Sequence, residues 1–149
     1  MLNNEVFFQK KKNVVDWEEM LKEWSQAFSI QNLGIRLANV LLNFTPNEQK
    51  QLLKNIEQAF RDPDDDLRWC IFEEAQKVGF DTAVGALALS LFWSYGSMSP
   101  TTLDPVYPDL RLSPLMLQCV LVIVAAQLAE DPADGAVRLI SLCSDLEGV

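Results

Sequence analysis

The sequence predicts an all-α fold, a single-domain bundle of about seven helices with two central apolar helices and one long Pro-rich loop. Three observations carry this prediction. Apolar residues recur at three- and four-residue spacing along most of the chain. Asp, Thr or Ser, often followed by Pro, opens these stretches, and Gly closes two of them. The one strand candidate, residues 5–9, fails because Phe7 interrupts the alternation of Val6 and Phe8. The 149 residues read as one domain, long enough to bury about two-thirds of the surface its unfolded form exposes. Residues 1–15 read as an N-terminal arm and residues 96–113 as the long loop.

The first helix opens at Asp16, with Glu19 three residues on at capping-box spacing. Its stripe is Trp17, Met20, Leu21, Trp24 and Phe28. Ile30, Leu33, Leu37, Val40, Leu41 and Phe44 mark the second helix, where Gly34 predicts the close approach of a neighbour. Thr45-Pro46-Asn47-Glu48 reads as an N-cap, a proline at the first helical position and a capping-box Glu. Leu52, Leu53, Ile56 and Phe60 give the third helix its buried face. Asp62-Pro63 predicts the start of the fourth, with Leu67, Cys70, Ile71, Ala75 and Val78 inward and Gly79 as its stop. Trp69 and Phe72 lie off that stripe and make the helix apolar on two sides.

Asp81 or Thr82 caps the fifth helix, which runs to about Tyr95 before Gly96. Residues 83–93 are apolar all round, the property of a helix buried on every side. Ser113-Pro114 opens the sixth, equally apolar. Asp131-Pro132, with Asp134 after it, opens the seventh, buried through Ala136, Leu139, Ile140 and Cys143. The uncharged stretch 115–129 is shorter than the roughly 20 residues a membrane span needs, and Gln118 and Gln127 interrupt it. A core helix is therefore expected there, not a span. Residues 71–92 and 122–143 echo one another through Ala75/Ala126, Gln76/Gln127, Ser90/Ser141 and Leu91/Leu142, a pattern of stacked helical hairpins.

The residue inventory argues against enzymatic chemistry. There is no histidine, so no Ser-His-Asp or Cys-His pair can form within the chain, and imidazole-ligated zinc is excluded. The pairs Glu18/Glu19, Glu73/Glu74 and Glu130/Asp131 are adjacent on polar helix faces or ends, unlike two carboxyls held in different environments of a cleft. The six glycines are scattered singly, so no phosphate loop exists. Asp62, Asp64, Asp66 and Glu73 fall at positions 1, 3, 5 and 12 of a calcium loop, but Leu67 stands where its sharp turn needs Gly. The acidic run reads as a helix N-terminus. No catalytic residue, cofactor or metal site is assigned.

Twelve Lys and Arg against 21 Asp and Glu give a net charge of −9, which argues against nucleic acid as a partner. Lys10-Lys11-Lys12 reads as a solvated tail. Val6-Phe7-Phe8 precedes those lysines, the reverse of signal-peptide order. Cys70, Cys119 and Cys143 each sit in an apolar stretch and read as three buried, reduced thiols. A reducing compartment, the cytoplasm, is the expected location.

The loop carries Pro100, Pro105 and Pro108 and cannot be one helix. Loops of this length are uncommon in compact domains unless they are functional or disordered. Met98, Leu103, Val106, Tyr107, Leu110 and Leu112 are expected to pin it down. The candidate partner-binding residues are Trp93, Tyr95, Asp104, Tyr107, Asp109 and Arg111, because aromatic residues and Arg are enriched at interface hot spots. Arg111 is the only basic residue between Lys77 and Arg138. It is expected either to pair with Asp104 or Asp109 or to meet an incoming carboxylate.

The segment Leu91-Phe92-Trp93-Ser94-Tyr95-Gly96-Ser97-Met98-Ser99-Pro100, then a Pro-rich stretch to Pro108, a capped apolar helix and a helix opened by Asp131-Pro132, resembles an uncharacterised bacterial helical domain family often seen among type VI secretion genes. The resemblance covers roughly residues 80–145 and brings no catalytic motif. It implies a secretion-system-associated adaptor, effector chaperone or immunity protein. The acidic charge suits a basic secreted effector or secretion component as the partner. The alternative expectation is a small-ligand or lipid-binding helical protein with an apolar pocket between the fifth and sixth helices.

Overall fold

The computed structural model describes residues 16–146. The predicted arm, with Lys10-Lys11-Lys12, lies outside them. Among the described residues there are seven helices and no strand: α1 (Trp17–Ser25), α2 (Ile30–Leu41), α3 (Asn47–Arg61), α4 (Asp65–Val78), α5 (Ala83–Ser94), α6 (Leu112–Leu128) and α7 (Pro132–Ser144). The fold is all-α, as predicted. α6 is the spine, packing along α5 on one side and α7 on the other. α2 pairs with α3 and α4 with α5, and α2 also reaches α5, α6 and α7, while α1 lies across α6 and α7.

The two apolar helices hold the centre because neither has a polar face to offer water. Leu87 and Leu91 of α5 and Leu117 and Leu121 of α6 are buried in one continuous core, where the alternative reading would place a guest. Their only fully buried polar side chains form a clasp. Ser113 Oγ donates to the Ser90 carbonyl at 2.7 Å, and Ser90 Oγ lies 3.0 Å from Ser113 Oγ and 3.1 Å from the Ser113 carbonyl. Both hydroxyls are thus satisfied, which removes the cost of burying them.

Gly34 does mark a close approach: a Cβ there would lie 2.5 Å from the Phe60 ring, so α2 and α3 meet over a missing side chain. The hairpin echo also has a structural counterpart. α4–α5 and α6–α7 are successive helix pairs, and in each the second helix sets a glycine of its first turn against backbone. A Cβ on Gly85 would collide with the Gly79 carbonyl, and one on Gly135 with the Ala125 carbonyl. No single helix among the described residues is long and apolar enough to cross a membrane. α6 and α7 pass the length and composition test only together, and they are bent by 111° at their junction.

The caps at Asp16, Thr82 and Asp131 form as read, their side chains accepting from the N–H groups of Glu19, Gly85 and Ala133. α4 stops at Gly79, whose φ of 103° is costly for any other residue. Three predicted starts are corrected. Thr45 does not cap α3; its hydroxyl donates back to the Leu41 carbonyl at 2.6 Å and closes α2, and α3 starts after Pro46. α4 begins at Asp65, not after Asp62, because Asp64 Oδ1 takes the Leu67 N–H. α6 begins at Leu112, since Ser113 is already buried on α5.

The cysteine expectation is corrected as well. Only Cys143 is buried, whereas Cys70 and Cys119 are exposed. On α4 the inward line is Arg68, Ile71 and Ala75, which turns Cys70 outward. Burial pushes the Cys143 thiol up to about 12, against the opposing charge of Arg36, which holds the Cys143 carbonyl at 2.6 Å. A protonated, covered thiol is a poor nucleophile. Ellman's reagent is therefore expected to titrate two thiols of the native protein and three after denaturation. Three reactive thiols in the native protein would contradict the burial of Cys143.

Candidate functional site

The long loop leaves α5 at a charged anchor. Arg68 of α4 is 1% exposed, the largest fully buried side chain of the fold. Its Nη1 donates to the Phe92 carbonyl at 2.8 Å, its Nη2 to the Ser97 carbonyl at 2.6 Å, and its Nε and Nη2 to Asp65 Oδ1 at 3.1 and 2.9 Å. The guanidinium carbon stands 4.3 Å from the Phe92 ring centre. One side chain thus neutralises the C-terminal end of the α5 dipole, grips the first residues of the loop and stacks on an aromatic floor. Trp69, Phe72, Phe80 and Phe92 make that floor, with Phe72 and Phe92 stacked at 4.3 Å. A Cβ on Gly96 would meet the guanidinium at 2.7 Å, and Gly96 has φ 78°, so this position is restricted twice over.

Beyond Gly96 the loop braces itself. Ser97 Oγ accepts the N–H groups of Ser99 and Val106, Met98 N–H donates to the Val106 carbonyl at 2.7 Å, and Ser99 Oγ donates to the Asp104 carbonyl at 2.6 Å. Hydroxyls close the turn where the prolines supply no N–H. Of the apolar side chains expected to pin the loop, Met98 and Leu112 are half-buried, and the expectation is corrected for the other four. Leu103, Val106, Tyr107 and Leu110 are exposed, Tyr107 at 69% and Leu110 at 90%, and so is Leu115 at the start of α6.

The candidate residues fall into two groups. Trp93 and Tyr95 are half-buried at the end of α5. The Tyr95 hydroxyl accepts the Asp64 N–H at 3.2 Å and lies 3.3 Å from the Asp64 carbonyl, so it fastens α4 to the loop entrance. Burial raises its pKa, opposed by the Asp64 N–H. Asp104, Tyr107, Asp109 and Arg111 are exposed along the loop. Of these, the fold brings together Asp109 and Arg111, at 2.8 and 3.1 Å in a two-pronged pair. That pairing holds the Asp109 carboxyl below its usual value and the Arg111 guanidinium above it, so both stay charged through neutral pH.

Among the cavities beside the loop are two within the ordinary size range of ligand pockets. One, of roughly 560 Å³, lies between α4 and the loop tip and is lined by Asp65, Asp66, Trp69, Cys70, Glu73, Pro100 and Thr101. The other, of roughly 400 Å³, lies between the end of α1 and the start of α6, with Lys22, Arg111 and Leu115 among its lining. No group of three or more metal-ligating side chains occurs among the described residues. Asp64 and Asp65 of the acidic run are engaged as the α4 cap and the Arg68 partner.

Sequence reasoning missed Arg68 because a charged residue one position from an apolar stripe reads as solvated. Its signal was indirect: Asp65 stands three residues before it, in helical register, and a glycine opens the loop. It also missed Leu110 and Leu115 as exposed groups, since apolar identity alone says nothing about which way a loop side chain points.

A family model for a family of unknown function, DUF6931, matches residues 34–147. The chain belongs to that family. The DUF6931 match takes in most of α2 and all of α3 to α7, including Arg68, the Ser90–Ser113 clasp and the whole loop, and leaves out α1. No curated protein and no solved structure matches this chain.

Proposed function

We propose that this DUF6931 chain is a non-catalytic protein-binding module whose partner face is the loop between α5 and α6. The observation that carries this reading is the exposure of Leu103, Val106, Tyr107 and Leu110 on a loop braced from beneath, and of Leu115 just after it on α6. Large apolar side chains left exposed along one short segment favour a contact role, and a loop already held in shape loses little entropy on binding. The carboxylates of Asp66 and Glu73 beside the loop tip favour a basic partner, and the net charge of −9 favours its fast capture. The finer reading, a secretion-system adaptor, effector chaperone or immunity protein acting in a bacterial cytoplasm, draws on the Trp93–Pro100 resemblance.

The test is co-purification with the products of neighbouring genes, repeated with Tyr107→Ala and with Leu110→Ala. Both side chains are exposed, so each variant is expected to melt like the parent. Each is expected to weaken the complex about tenfold or more, as hot-spot residues do. Undiminished binding by both variants would overturn the assignment of the face.

A further inference from the structure

We propose that the cavity between the end of α1 and the first turns of α6 recognises the free carboxyl terminus of a peptide that ends in an apolar residue. The inference deepens the protein-binding reading by naming the part of the partner that is held.

The chain carries a net charge of −9, yet this cavity is lined by two cations, Lys22 and Arg111, and by no carboxylate. Pro114 and Leu115 supply an apolar wall, with Leu115 58% exposed. Ser25, Gln26 and Gln118 complete the lining. At roughly 400 Å³ the space is within the ordinary range of ligand pockets.

The cations are positioned to receive a ligand. Asp109 engages Nε and Nη2 of Arg111, which fixes the plane of the guanidinium and leaves Nη1 with two N–H donors. Such a prealigned fork costs less to immobilise than a roaming side chain. The Lys22 ammonium has no ion-pair partner among the described residues. Gln118 is held by Nε2 on the Glu18 carbonyl at 3.1 Å, and its Oε1 is buried without a donor.

A chain terminus suits the cavity better than an internal Asp or Glu. On a terminal Leu or Val the carboxylate and the apolar side chain spring from the same carbon, so one residue meets the cations and the Pro114–Leu115 wall together. An Asp or Glu presents its carboxylate at the tip of the side chain, with no apolar group beside it. A fatty acid would satisfy the cations but needs a longer apolar channel than two residues provide.

The experiment is an amide-resolved NMR titration of the full chain with the pentapeptide acetyl-Gly-Gly-Ser-Val-Leu as the free acid, with the same peptide as its C-terminal amide, and with decanoate. The free acid is expected to give saturable shifts centred on Ser25, Gln26, Leu115 and Gln118. The amide is expected to bind about tenfold more weakly, because the charge-assisted hydrogen bonds are lost. Lys22→Met and Arg111→Met, both at exposed positions, are each expected to weaken the free acid about fivefold without altering the melting temperature. Absence of saturation, equal binding by acid and amide, indifference to both substitutions, or tighter binding of decanoate would each overturn the proposal. No partner protein enters this titration, so its failure leaves the loop face standing. Retained partner binding by the Tyr107 and Leu110 variants would leave a positive titration intact.

Discussion

Replacing Arg68 with Met is expected to destabilise the protein by about 3 kcal/mol and to release the loop from α5. The magnitude comes from what the guanidinium leaves behind. The Phe92 and Ser97 carbonyls lose their donor inside the fold, at about 1–3 kcal/mol for each buried group left unsatisfied. The charge pair itself contributes little to this figure, because Asp65 is half exposed and recovers its hydration. For a chain of this size the melting temperature should fall by roughly 10 °C. Hydrogen exchange supplies the more specific readout: the Met98 and Val106 amides, now bonded within the loop, should lose protection out of proportion to those of α6. Arg68→Lys should not rescue the fold, because a point charge cannot span Asp65, Phe92 and Ser97 at once. Unchanged melting and unchanged protection in Arg68→Met would show that the loop is braced by its serines alone.

The second large effect is expected at the centre of the bundle. Leu121→Ala should cost about 2–5 kcal/mol, the range for deleting a buried leucine where neighbours relax only partly. Leu121 is fully buried on the helix that joins α5 to α7. Its removal leaves a cavity lined from both sides, and the melting temperature should drop by roughly 10 °C. Urea unfolding should show the midpoint shifted with its slope unchanged. A variant that melts like the parent would mean that α6 is not the spine.

The elements were legible in the sequence to the degree that local chemistry decides them. α5 and α6 could be placed at the centre because residues 83–93 and 115–129 have no polar face to turn outward. Asp16, Thr82 and Asp131 could be read as caps because each has a side-chain acceptor two or three residues ahead of an otherwise unpaired N–H. The misread starts share one cause. Thr45, Asp62 and Ser113 each had a rival one or two positions away or a partner elsewhere in the fold. Pro46 fitted the N-cap position, Asp64 reached the Leu67 N–H, and Ser90 claimed Ser113. Of the candidate site, the sequence disclosed the loop and its prolines, but it left Arg111 open between Asp104, Asp109 and an incoming carboxylate, and the structure chose Asp109.

What the sequence determined by itself is the fold class, the order of the seven helices and the two that must be buried, because periodicity and capping act within a few residues of chain. The tertiary structure alone decided which residues became special. Arg68 could be buried only because Phe92, Gly96 and Ser97, more than twenty residues away, converge on it. Cys70 faces outward because Arg68 takes the inward place on the same helix. Lys22 and Arg111 share a cavity only because α1 lies across α6. Each of these depends on where distant segments meet, and such meetings are set by the packing of the whole core rather than by any local preference of the chain.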